Sequence, residues 1–483
     1  MAPLSSWSEQ PLKQRLAWVA AFRQLIAANA RTLESLIQDE IGKSSWEAFS
    51  GDVLPLLAAC RWHEKYARGV LAPRAVFGTP AWLLGHRQVA RRAPLGRVGI
   101  IATWNYPAQL LGIQLVQAFV AGNDVVVKPS ERSPRSQAYL LKLAREAGLP
   151  AGTLEVRDHA REAGQRMLET ERFDKLVFTG STRVGRCIAG LAADTLTPTA
   201  LELSGCDSAL VLADANVALA ARVIWHAAIM NAGQTCLAPR RALVDARVYR
   251  DFLAALAPLA AGAREVPLID EAAARHTFAL ASASLAHGSR SLSGVLEAPV
   301  GAMLRPLAMV DCPIAAPLAS TEHFGPALAV VPCAGLDAML AAHARIQQRL
   351  ATSVFTASPA TARAIAERLG SATVTINDCI LPSSHPGAAI AGRGASGWGA
   401  TRGPEGLLAM TRPLQIGTTH PRRRLPPEPP APAQADFIRR WMLRWYARGP
   451  GGRPRSISPD QAQAPYPHAN PPRRTHEQQH THR

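Results

Sequence analysis

The chain has 483 residues, 48% of them hydrophobic, which is enough for two or three domains with ordinary buried cores. It contains neither an apolar run of about 18 residues that could span a bilayer nor a recognisable signal peptide, so a cytoplasmic protein is expected. Residues 418–483 hold twelve arginines and four acids and so supply +8 of the +17 net charge; this uneven distribution argues against a nucleic-acid-binding protein.

The first predicted elements are helices. Over residues 7–68 apolar side chains recur at helical spacing, as in Leu16, Val19 and Phe22. This periodicity is typical of amphipathic helices that pack on a core. A helical opening segment is therefore predicted before the first strand.

Short apolar runs of the β type then alternate with helical stretches. The predicted strands cover residues 98–102, 125–127, 153–156, 176–179 and 209–212. This alternation is typical of βαβ units in a parallel sheet. Two of the intervening helices are expected to end at Gly122 and Gly148, because a left-handed residue is favoured at a helix carboxyl terminus. Residues 220–400 mix the two patterns again and predict a second α/β domain.

Beyond Gly417 the sequence is rich in Pro and Arg, a composition that buries too little apolar surface to offset the entropy lost on folding. Most of residues 418–483 is therefore expected to be disordered. Within it, residues 436–448 place Phe437, Trp441 and Trp445 on one helical face beside arginines, which predicts a basic amphipathic helix. Such a helix can lie on an anionic membrane or dock on its own subunit or a dimer partner, and the sequence leaves both open.

The seven cysteines are scattered, odd in number and never in a CxxC pattern, so neither a disulfide framework nor a metal site is predicted. One of them, Cys236, ends the small-residue turn Asn231-Ala-Gly-Gln-Thr-Cys236, which follows a helical segment. A cysteine near a helix end can have a lowered pKa, and the thiolate is the nucleophilic form. Taken alone, an inert buried cysteine is the commoner case.

An upstream acid strengthens the catalytic interpretation. Glu202 ends a β-type run and lies among apolar and small residues. Apolar surroundings raise the pKa of a carboxyl group, which suits a general base; a solvated carboxylate at a strand end is the alternative. Asn105 offers an amide that, with the backbone N–H of Cys236, can hold a developing oxyanion, and a simple turn-forming role is its alternative.

Two further motifs suit a dinucleotide. Gly180 and Ser181 end a strand and begin a helix, whose amino terminus favours a phosphate. Lys128 directly follows an apolar strand, at the edge of a parallel sheet where nucleotides bind. A literal GxGxxG, from Gly392 to Gly397, is rejected as the cofactor site because no clear buried strand precedes it and no acid follows at about twenty residues.

In this order the motifs resemble the aldehyde dehydrogenase superfamily, and within it the short dimeric class with the medium-chain and fatty aldehyde enzymes. The resemblance covers residues 7–416. It implies an α/β fold with a Rossmann-type cofactor domain, an α/β catalytic domain and a small oligomerisation arm. The implied limits are 1–203 for the cofactor domain with about 86–95 in the arm, 204–388 for the catalytic domain, 389–417 for the glycine-rich loop and arm, and 418–483 for the tail.

The resemblance also assigns roles to residues. Cys236 falls on the nucleophile, Glu202 on the general base, and Asn105, within Thr103-Trp-Asn-Tyr-Pro107, on the oxyanion-binding amide. Lys128-Pro-Ser-Glu131 resembles the adenosine-ribose motif, Phe178-Thr-Gly-Ser-Thr-Arg-Val-Gly185 the pyrophosphate turn, and Glu322-His-Phe-Gly-Pro326 the motif whose acid binds the nicotinamide ribose. The implied cofactor-binding residues are Trp104, Lys128, Ser130, Glu131, Gly180, Ser181, Gly185, Glu322 and Phe324.

The implied activity is NAD(P)-dependent oxidation of an aldehyde to a carboxylic acid, through a thiohemiacetal and a thioester on Cys236, in a homodimer that the tail can attach to a membrane surface. Glu131 would accept a hydrogen bond from a ribose 2′-hydroxyl and repel a 2′-phosphate, which favours NAD and leaves NADP open. Departures from the family pattern are Ser204 for a glycine, Thr321 for an acid, and Ile390-Ala391 for an aromatic-glycine pair. Together with the basic tail, they motivate the alternative of a catalytically impaired binding or scaffold protein on the same fold.

Overall fold

The computed structural model describes residues 7–83, 85–422 and 428–447. The chain forms two compact units. The larger runs to Val76 and resumes from Gln88 to Ile416; the smaller combines Phe77–Arg87 with residues from Gly417 onward. All the site residues predicted above belong to the larger unit. Most of the tail predicted to be disordered, including the last residue of the predicted helix 436–448, lies outside the described residues.

Four helices open the larger unit and confirm the helical opening segment. They are α1 (Leu12–Ala28), α2 (Ala30–Ile41), α3 (Ser45–Ala48) and α4 (Leu54–Val70), with a π-helical turn, Phe49–Val53, between the last two. Ser44 caps α3 in a reciprocal capping box with Glu47. In the core beneath them, the Trp18 ring stacks on Phe22 at 5.1 Å and meets Phe119 edge-on at 5.0 Å.

The first half of the α/β region follows. Its strands are β1 (Arg74–Ala75), β2 (His86–Pro94), β3 (Arg97–Ile101), β4 (Asp124–Lys128), β5 (Leu154–Val156), β6 (Lys175–Gly180) and β7 (Thr199–Leu203). Its helices are α5 (Pro107–Ala121), α6 (Pro134–Glu146), α7 (Arg161–Thr170) and α8 (Thr182–Asp194). Gly122 caps α5 in the left-handed conformation, as predicted, and Gly148, one residue past the cap of α6, also has a positive φ.

The second half repeats the alternation. Its strands are β8 (Asp207–Val211), β9 (Pro239–Asp245), β10 (Val266–Pro267), β11 (Arg290–Ser291), β12 (Met303–Leu304), β13 (Leu307–Val310), β14 (Ala327–Cys333), β15 (Ala351–Phe355) and β16 (Thr373–Ile376). Its helices are α9 (Val217–Ile229), α10 (Tyr249–Ala261), α11 (Glu271–Ala286), α12 (Pro317–Ser320), α13 (Leu336–Ala344) and α14 (Pro359–Leu369). The five predicted strands are all present, with bounds shifted by at most two residues.

The last described elements are short, apart from one strand and one helix. They are β17 (Ile390–Ala391), β18 (Gly397–Trp398), β19 (Ala400–Thr401), α15 (Gly403–Ala409), β20 (Thr411–Thr419) and α16 (Pro432–Ala447). The helix α16 lies in the stretch where the sequence predicts an amphipathic helix. Its Phe437, Trp441 and Trp445 side chains are exposed, and the two tryptophan rings stack at 6.0 Å.

Two parallel sheets organise the larger unit and confirm the α/β class. The first has the order β18-β7-β6-β3-β4-β5, in which only the edge strand β18 is antiparallel. The second has the order β11-β13-β14-β9-β8-β15-β16, in which only β11 is antiparallel. Ligands of open α/β sheets bind beyond the carboxyl ends of the strands, so the residues after β3, β6 and β7 are expected to border a ligand site.

Strands β1, β2 and β20 form a separate three-stranded sheet; β2 and most of β20 come from the segments predicted as the oligomerisation arm, whereas β1 lies outside them. Nothing in a single chain tests that role, which stays a prediction. Within the described residues, no helix is both long and apolar enough to cross a membrane.

Candidate active site

A cavity of about 820 Å³ collects most of the predicted site residues. Residues that follow β3, β6 and β7 line it, together with the loop that carries the nucleophile. Of the twelve predicted residues, eight face this cavity: Trp104, Asn105, Gly180, Ser181, Glu202, Cys236, Glu322 and Phe324. The other four, Lys128, Ser130, Glu131 and Gly185, lie outside its wall.

The loop before Cys236 adopts an unusual backbone. Asn231, Ala232 and Gly233 all have positive φ angles, of 54°, 53° and 72°. Such a run is costly for side-chain-bearing residues and persists only where the surroundings enforce it. A Cβ on Gly233 would collide with the backbone of Gly325, so this position admits only glycine. The turn of small residues read from the sequence is thus a strained loop pressed against the Glu322–Pro326 motif.

Arg240 fixes this loop from below, a role the sequence analysis did not foresee. The side chain is fully buried on β9. Its Nη1 donates to the carbonyl oxygens of Gly233 at 2.8 Å and Gly325 at 3.3 Å, and its Nη2 donates to that of Thr235 at 2.8 Å. One guanidinium therefore connects the nucleophile loop with the motif predicted to bind the nicotinamide ribose. The available sequence signal was the pair of adjacent arginines, Arg240 and Arg241, at the start of the β-type run that continues to Val244.

Asn105 is buried and adjoins the same loop. Its Nδ2 donates to the Gln234 carbonyl at 3.1 Å, and its Oδ1 accepts a hydrogen bond from Thr103 Oγ1 at 3.3 Å. The backbone carbonyl of Asn105 accepts from Asn231 Nδ2 at 3.1 Å. Since a side-chain amide carries two N–H groups, the bond to Gln234 orients Asn105 and leaves a second donor.

The thiol of Cys236 differs from the sequence expectation of a lowered pKa, which is wrong for this structure. Burial raises the pKa of Cys236 to about 12, and the nearby charges of Glu202 and Asp207 act in the same direction. Arg402 and Arg240 oppose the rise without cancelling it. The loop position matters less than these surroundings, because desolvation penalises the thiolate more than distant positive charge stabilises it.

Glu202 meets the expectation of a carboxyl group in low-polarity surroundings. It is 7% exposed, and burial raises its pKa. Thr401 donates a hydrogen bond to Oε1, and Thr179 Oγ1 donates to Oε2 at 3.2 Å. These bonds and the charge of Arg402 lower the pKa again in part. Because it lines the same cavity as Cys236, the carboxyl group is available to water that enters the site.

The glycine-rich segment lies against the strand that carries Glu202. Strand β18 pairs with β7 so that Gly397 is opposite Glu202, and a Cβ on Gly397 would collide with the Leu201 carbonyl. Its glycines therefore allow the edge strand to pack closely on β7.

Ser204, which stands where the family pattern has a glycine, faces the cavity, and its carbonyl oxygen accepts a hydrogen bond from Ser396 Oγ at 3.0 Å.

Gly205 is retained for a packing reason. A Cβ there would lie 2.6 Å from the carbonyl oxygen of Cys236 and 2.5 Å from Oδ2 of Asp207. Glycine is thus needed at the second position of the family's pair, whereas the first position accommodates Ser204.

The predicted adenosine-ribose motif forms a polar group at the end of β4. Lys128 Nζ lies 3.0 Å from Oε2 of Glu131. Burial opposes ionisation of Glu131, but a backbone hydrogen bond and Lys128 together lower its pKa. The Oγ of Ser130 accepts from the backbone of Arg132 at 3.1 Å, which shapes the turn. A partly exposed carboxylate and an ammonium group suit the hydroxyls of a sugar.

The predicted pyrophosphate turn begins helix α8. Ser181 caps it by accepting a hydrogen bond from Val184, and its first turn contains no acidic residue. A Cβ on Gly185 would collide with Leu203, so this glycine brings the helix close to the sheet. An amino terminus free of acids is a fitting place for a phosphate.

Glu322 and Phe324 complete the cofactor side. Oε2 of Glu322 accepts from Gln348 Nε2 at 3.0 Å, and the Phe324 ring meets Trp104 edge-on at 5.8 Å. The ammonium group of Lys128, the amino terminus of α8 without acidic residues, and the close packing at Gly185 together fit a nicotinamide dinucleotide. The sequence analysis missed four residues of the site: Thr179, Arg240, Thr401 and Arg402.

Comparison with known proteins gives a consistent picture. Residues 2–416 match the model of the aldehyde dehydrogenase family. A 4-(hydroxymethyl)benzenesulfonate dehydrogenase from Comamonas testosteroni is 32% identical over 420 residues, which cover 84% of this chain and 85% of that protein.

Two solved structures share the fold along most of their length. An aldehyde dehydrogenase from Mycobacterium tuberculosis, crystallised with NAD+, is 27% identical at a TM-score of 0.80, with 86% of each chain covered. An NADP-dependent enzyme from E. coli is 26% identical at a TM-score of 0.81, with 86% of this chain and 88% of that chain covered.

Proposed function

This chain belongs to the aldehyde dehydrogenase family, and on that premise we propose that it oxidises an aldehyde to a carboxylic acid through a covalent thioester on Cys236. The observation that carries the proposal is the placement of Cys236, Glu202 and Asn105 around one cavity. As a family member the enzyme is an oxidoreductase that acts on aldehydes. The route of the reaction is the proposed part.

In the first step the Cys236 thiol loses its proton to water in the cavity, the sulfur attacks the carbonyl carbon, and the carbonyl oxygen becomes an alkoxide. The second N–H of Asn105 and the backbone N–H of Cys236 stabilise that charge. The bond from Asn105 Nδ2 to the Gln234 carbonyl holds the amide in place for this purpose. Bound nicotinamide would supply the oxidant, since its ring would accept the hydride that the former carbonyl carbon releases as the alkoxide collapses to the thioester.

In the second step water attacks the thioester and Glu202 accepts its proton. The resulting tetrahedral species expels the thiolate of Cys236 and leaves a carboxylic acid. Burial raises the pKa of Glu202, which makes it a stronger base than an exposed glutamate. A residue with this role directs the thioester to hydrolysis and away from other acceptors.

Cofactor recognition is assigned to three groups of residues. Lys128 and Glu131, with Ser130 in the turn between them, would hold the adenosine ribose, and Gly180, Ser181 and Gly185 would shape the pyrophosphate site. Glu322 would bind the nicotinamide ribose, with Trp104 and Phe324 beside it. The similar aldehyde dehydrogenase crystallised with NAD+ and the similar NADP-dependent enzyme support either cofactor, and the carboxylate of Glu131 favours NAD because it would repel a 2′-phosphate.

The assembly and location proposals follow from the family resemblance and from α16. A homodimer of the short class is expected, with β2 and β20 in the arm; light scattering on the purified chain tests it, and a monomeric mass would reject it.

The exposed aromatic face of α16, next to Arg440 and Arg444, favours attachment to an anionic membrane surface. Flotation with anionic and neutral liposomes, with and without residues after 417, tests this; equal flotation of both chains would reject it.

The reaction itself is tested by reduced-nicotinamide absorbance in the presence of aliphatic and aromatic aldehydes. Cys236→Ala should abolish turnover, whereas Cys187→Ala, a change at an exposed cysteine, should leave it intact. Mass spectrometry of wild-type and Glu202→Gln protein should then show an acyl adduct on Cys236 that accumulates in the variant. Full turnover by Cys236→Ala would reject the mechanism. Cofactor binding without turnover of any aldehyde would favour the scaffold alternative.

A further inference from the structure

Arg402 is a buried cation that the proposed mechanism does not use. It is 7% exposed, lines the cavity and has a φ of 63°, in the left-handed region. It connects β19 to α15, directly after Thr401, which bonds to the general base. Its guanidinium therefore lies in the wall of the catalytic cavity and not on the protein surface.

The side chain has few partners. Nη1 donates to the Ser383 carbonyl at 3.1 Å, and Nε has no hydrogen-bond partner. Within the described part of the chain, no carboxylate oxygen lies within salt-bridge distance of it. Burial lowers the pKa of Arg402, but an arginine stays protonated in a protein. Buried charges are normally paired, since an isolated one is expensive to desolvate.

The ionisable groups that face Arg402 do not supply the missing partner. Glu202, Cys236 and Tyr106 lie within its electrostatic reach. Both oxygens of Glu202 accept hydrogen bonds from threonines. The other buried cation of the cavity wall, Lys43, is paired with Asp52 at 2.6 Å and lies 3.6 Å above the Tyr106 ring. Arg402 is thus the buried cation of this wall that has unused donors.

We infer that Arg402 binds an oxyanion carried by the aldehyde substrate, a carboxylate or a sulfonate on the same molecule. A guanidinium presents a planar fork of donors that matches such a group. The inference rests on the proposed function, because it places the anion in the cavity that contains Cys236. Elsewhere the wall is largely apolar, with Leu110, Val223, Met230 and Ile380, so the anion would be carried on an apolar body.

The test compares matched aldehydes that differ only in the anion: benzaldehyde with 4-carboxybenzaldehyde, and butanal with succinic semialdehyde. The wild-type enzyme should favour the acid of at least one pair in kcat/KM. In Arg402→Gln the preferred acid should lose about 10- to 100-fold, the size of a hydrogen bond to a charged group, while its neutral partner changes little. Arg402→Lys, which keeps the charge and loses the fork, should fall between the two.

Arg393→Gln serves as the matched control, since it removes an exposed arginine of the same segment and should leave the preference unchanged. A second measurement needs no turnover: benzoate should slow carbamidomethylation of Cys236 in the wild type, benzyl alcohol should not, and Arg402→Gln should abolish the benzoate effect.

Three results would overturn the inference. They are a wild-type enzyme without preference for either acid, an equal loss for acid and neutral aldehydes in Arg402→Gln, and a variant whose only change is a shifted pH profile. The last two would make Arg402 an electrostatic partner of Cys236 and Glu202. A failure of the proposed function is distinguishable, because then no aldehyde would be oxidised and no acyl adduct would form on Cys236.

Discussion

The hydroxyl of Thr179 lies 3.2 Å from Oε2 of Glu202 and donates a hydrogen bond to it. Gln114 Nε2 donates to the same hydroxyl at 3.2 Å, which directs the Thr179 proton toward the carboxylate. The bond stabilises the charged form of the general base and so limits the rise of its pKa. The pKa of Glu202 therefore depends on a residue of the neighbouring strand β6, which also leads to the predicted pyrophosphate turn.

Thr179→Val should raise the pKa of Glu202 further, because the charged form loses a donor. Less carboxylate is then present at a given pH, so the rising limb of the kcat profile should move to higher pH. At neutral pH the hydrolysis of the thioester should slow by about 5-fold, as expected for one hydrogen bond of about 1 kcal/mol. Thr195→Val, a change at an exposed helix end, is the control. An unmoved pH profile in Thr179→Val would contradict this account.

In the enzyme without cofactor, the alkylation of Cys236 should be slow at neutral pH, and its rate should increase about tenfold per pH unit between pH 7 and 10. The reason is that only the thiolate reacts and that burial raises the pKa of Cys236 to about 12. Peptide mass spectrometry after timed iodoacetamide treatment follows this site by itself. Cys187, which is exposed, provides an internal reference for accessibility. A rate that levels off below pH 8 would show that the thiolate forms far more readily than the structure indicates.

Arg240→Lys should reduce kcat by about 10- to 100-fold with a smaller effect on the KM for aldehyde. A lysine cannot donate to all three carbonyl oxygens, and each lost hydrogen bond to a charged group is worth about 1.5–3 kcal/mol. The loop that presents Cys236 would lose its connection to Gly325. Arg247→Lys, at an arginine whose ion pair with Asp245 lies near the surface, should change neither constant. Unaltered kcat in Arg240→Lys would show that the loop keeps its conformation by itself.

The sequence predicted the α/β class, five of the strands and candidate catalytic residues that line one cavity, because these depend on local pattern. Cys236 and Glu202 belong to contiguous motifs, and an apolar strand next to a charged or small residue is visible in one dimension. Bounds differ by one or two residues, since strand ends are set by pairing with neighbours such as β18 on β7.

What the sequence did not predict depends on contacts between distant segments. Arg402 and Thr401 reach Glu202 across nearly two hundred residues, and Arg240 acts through carbonyl oxygens that no side-chain pattern marks. The pKa of Cys236 was misjudged for the same reason: loop position suggested a lowered value, whereas the burial that raises it, and the smaller effects of Glu202 and Asp207, arise only on folding.

The cofactor preference should respond to Glu131. In Glu131→Gln the repulsion of a 2′-phosphate disappears and Lys128 loses its partner at 3.0 Å, which frees an ammonium group for the phosphate. The ratio of kcat/KM for NADP over NAD should rise about tenfold, equivalent to about 1.4 kcal/mol. Glu169→Gln, an exposed change on α7, is the control. If the ratio stays constant, Glu131 does not face the ribose of the bound cofactor.

Asp207 should make the stability of the fold depend on pH. It is buried beneath the nucleophile loop; Oδ1 accepts a hydrogen bond from Ala351 at 2.9 Å and Oδ2 has no partner. Burial raises its pKa to about 8, far above the value of about 3.9 in an unfolded chain. The folded state therefore holds a proton that the unfolded state has released between these values.

The contribution of Asp207 is then fully present below about pH 4 and is lost as the pH rises toward 8. Asp207→Asn keeps an acceptor for Ala351 and cannot ionise, so it should be more stable than the wild type at pH 8 and show a smaller fall in Tm between pH 5 and 8. Thermal melts of both proteins, with Asp194→Asn as an exposed control, measure this difference. Parallel curves for wild type and Asp207→Asn would mean that the Asp207 carboxyl group keeps an ordinary pKa in the folded protein, and its electrostatic effect on Cys236 would then act at every pH at which the enzyme works.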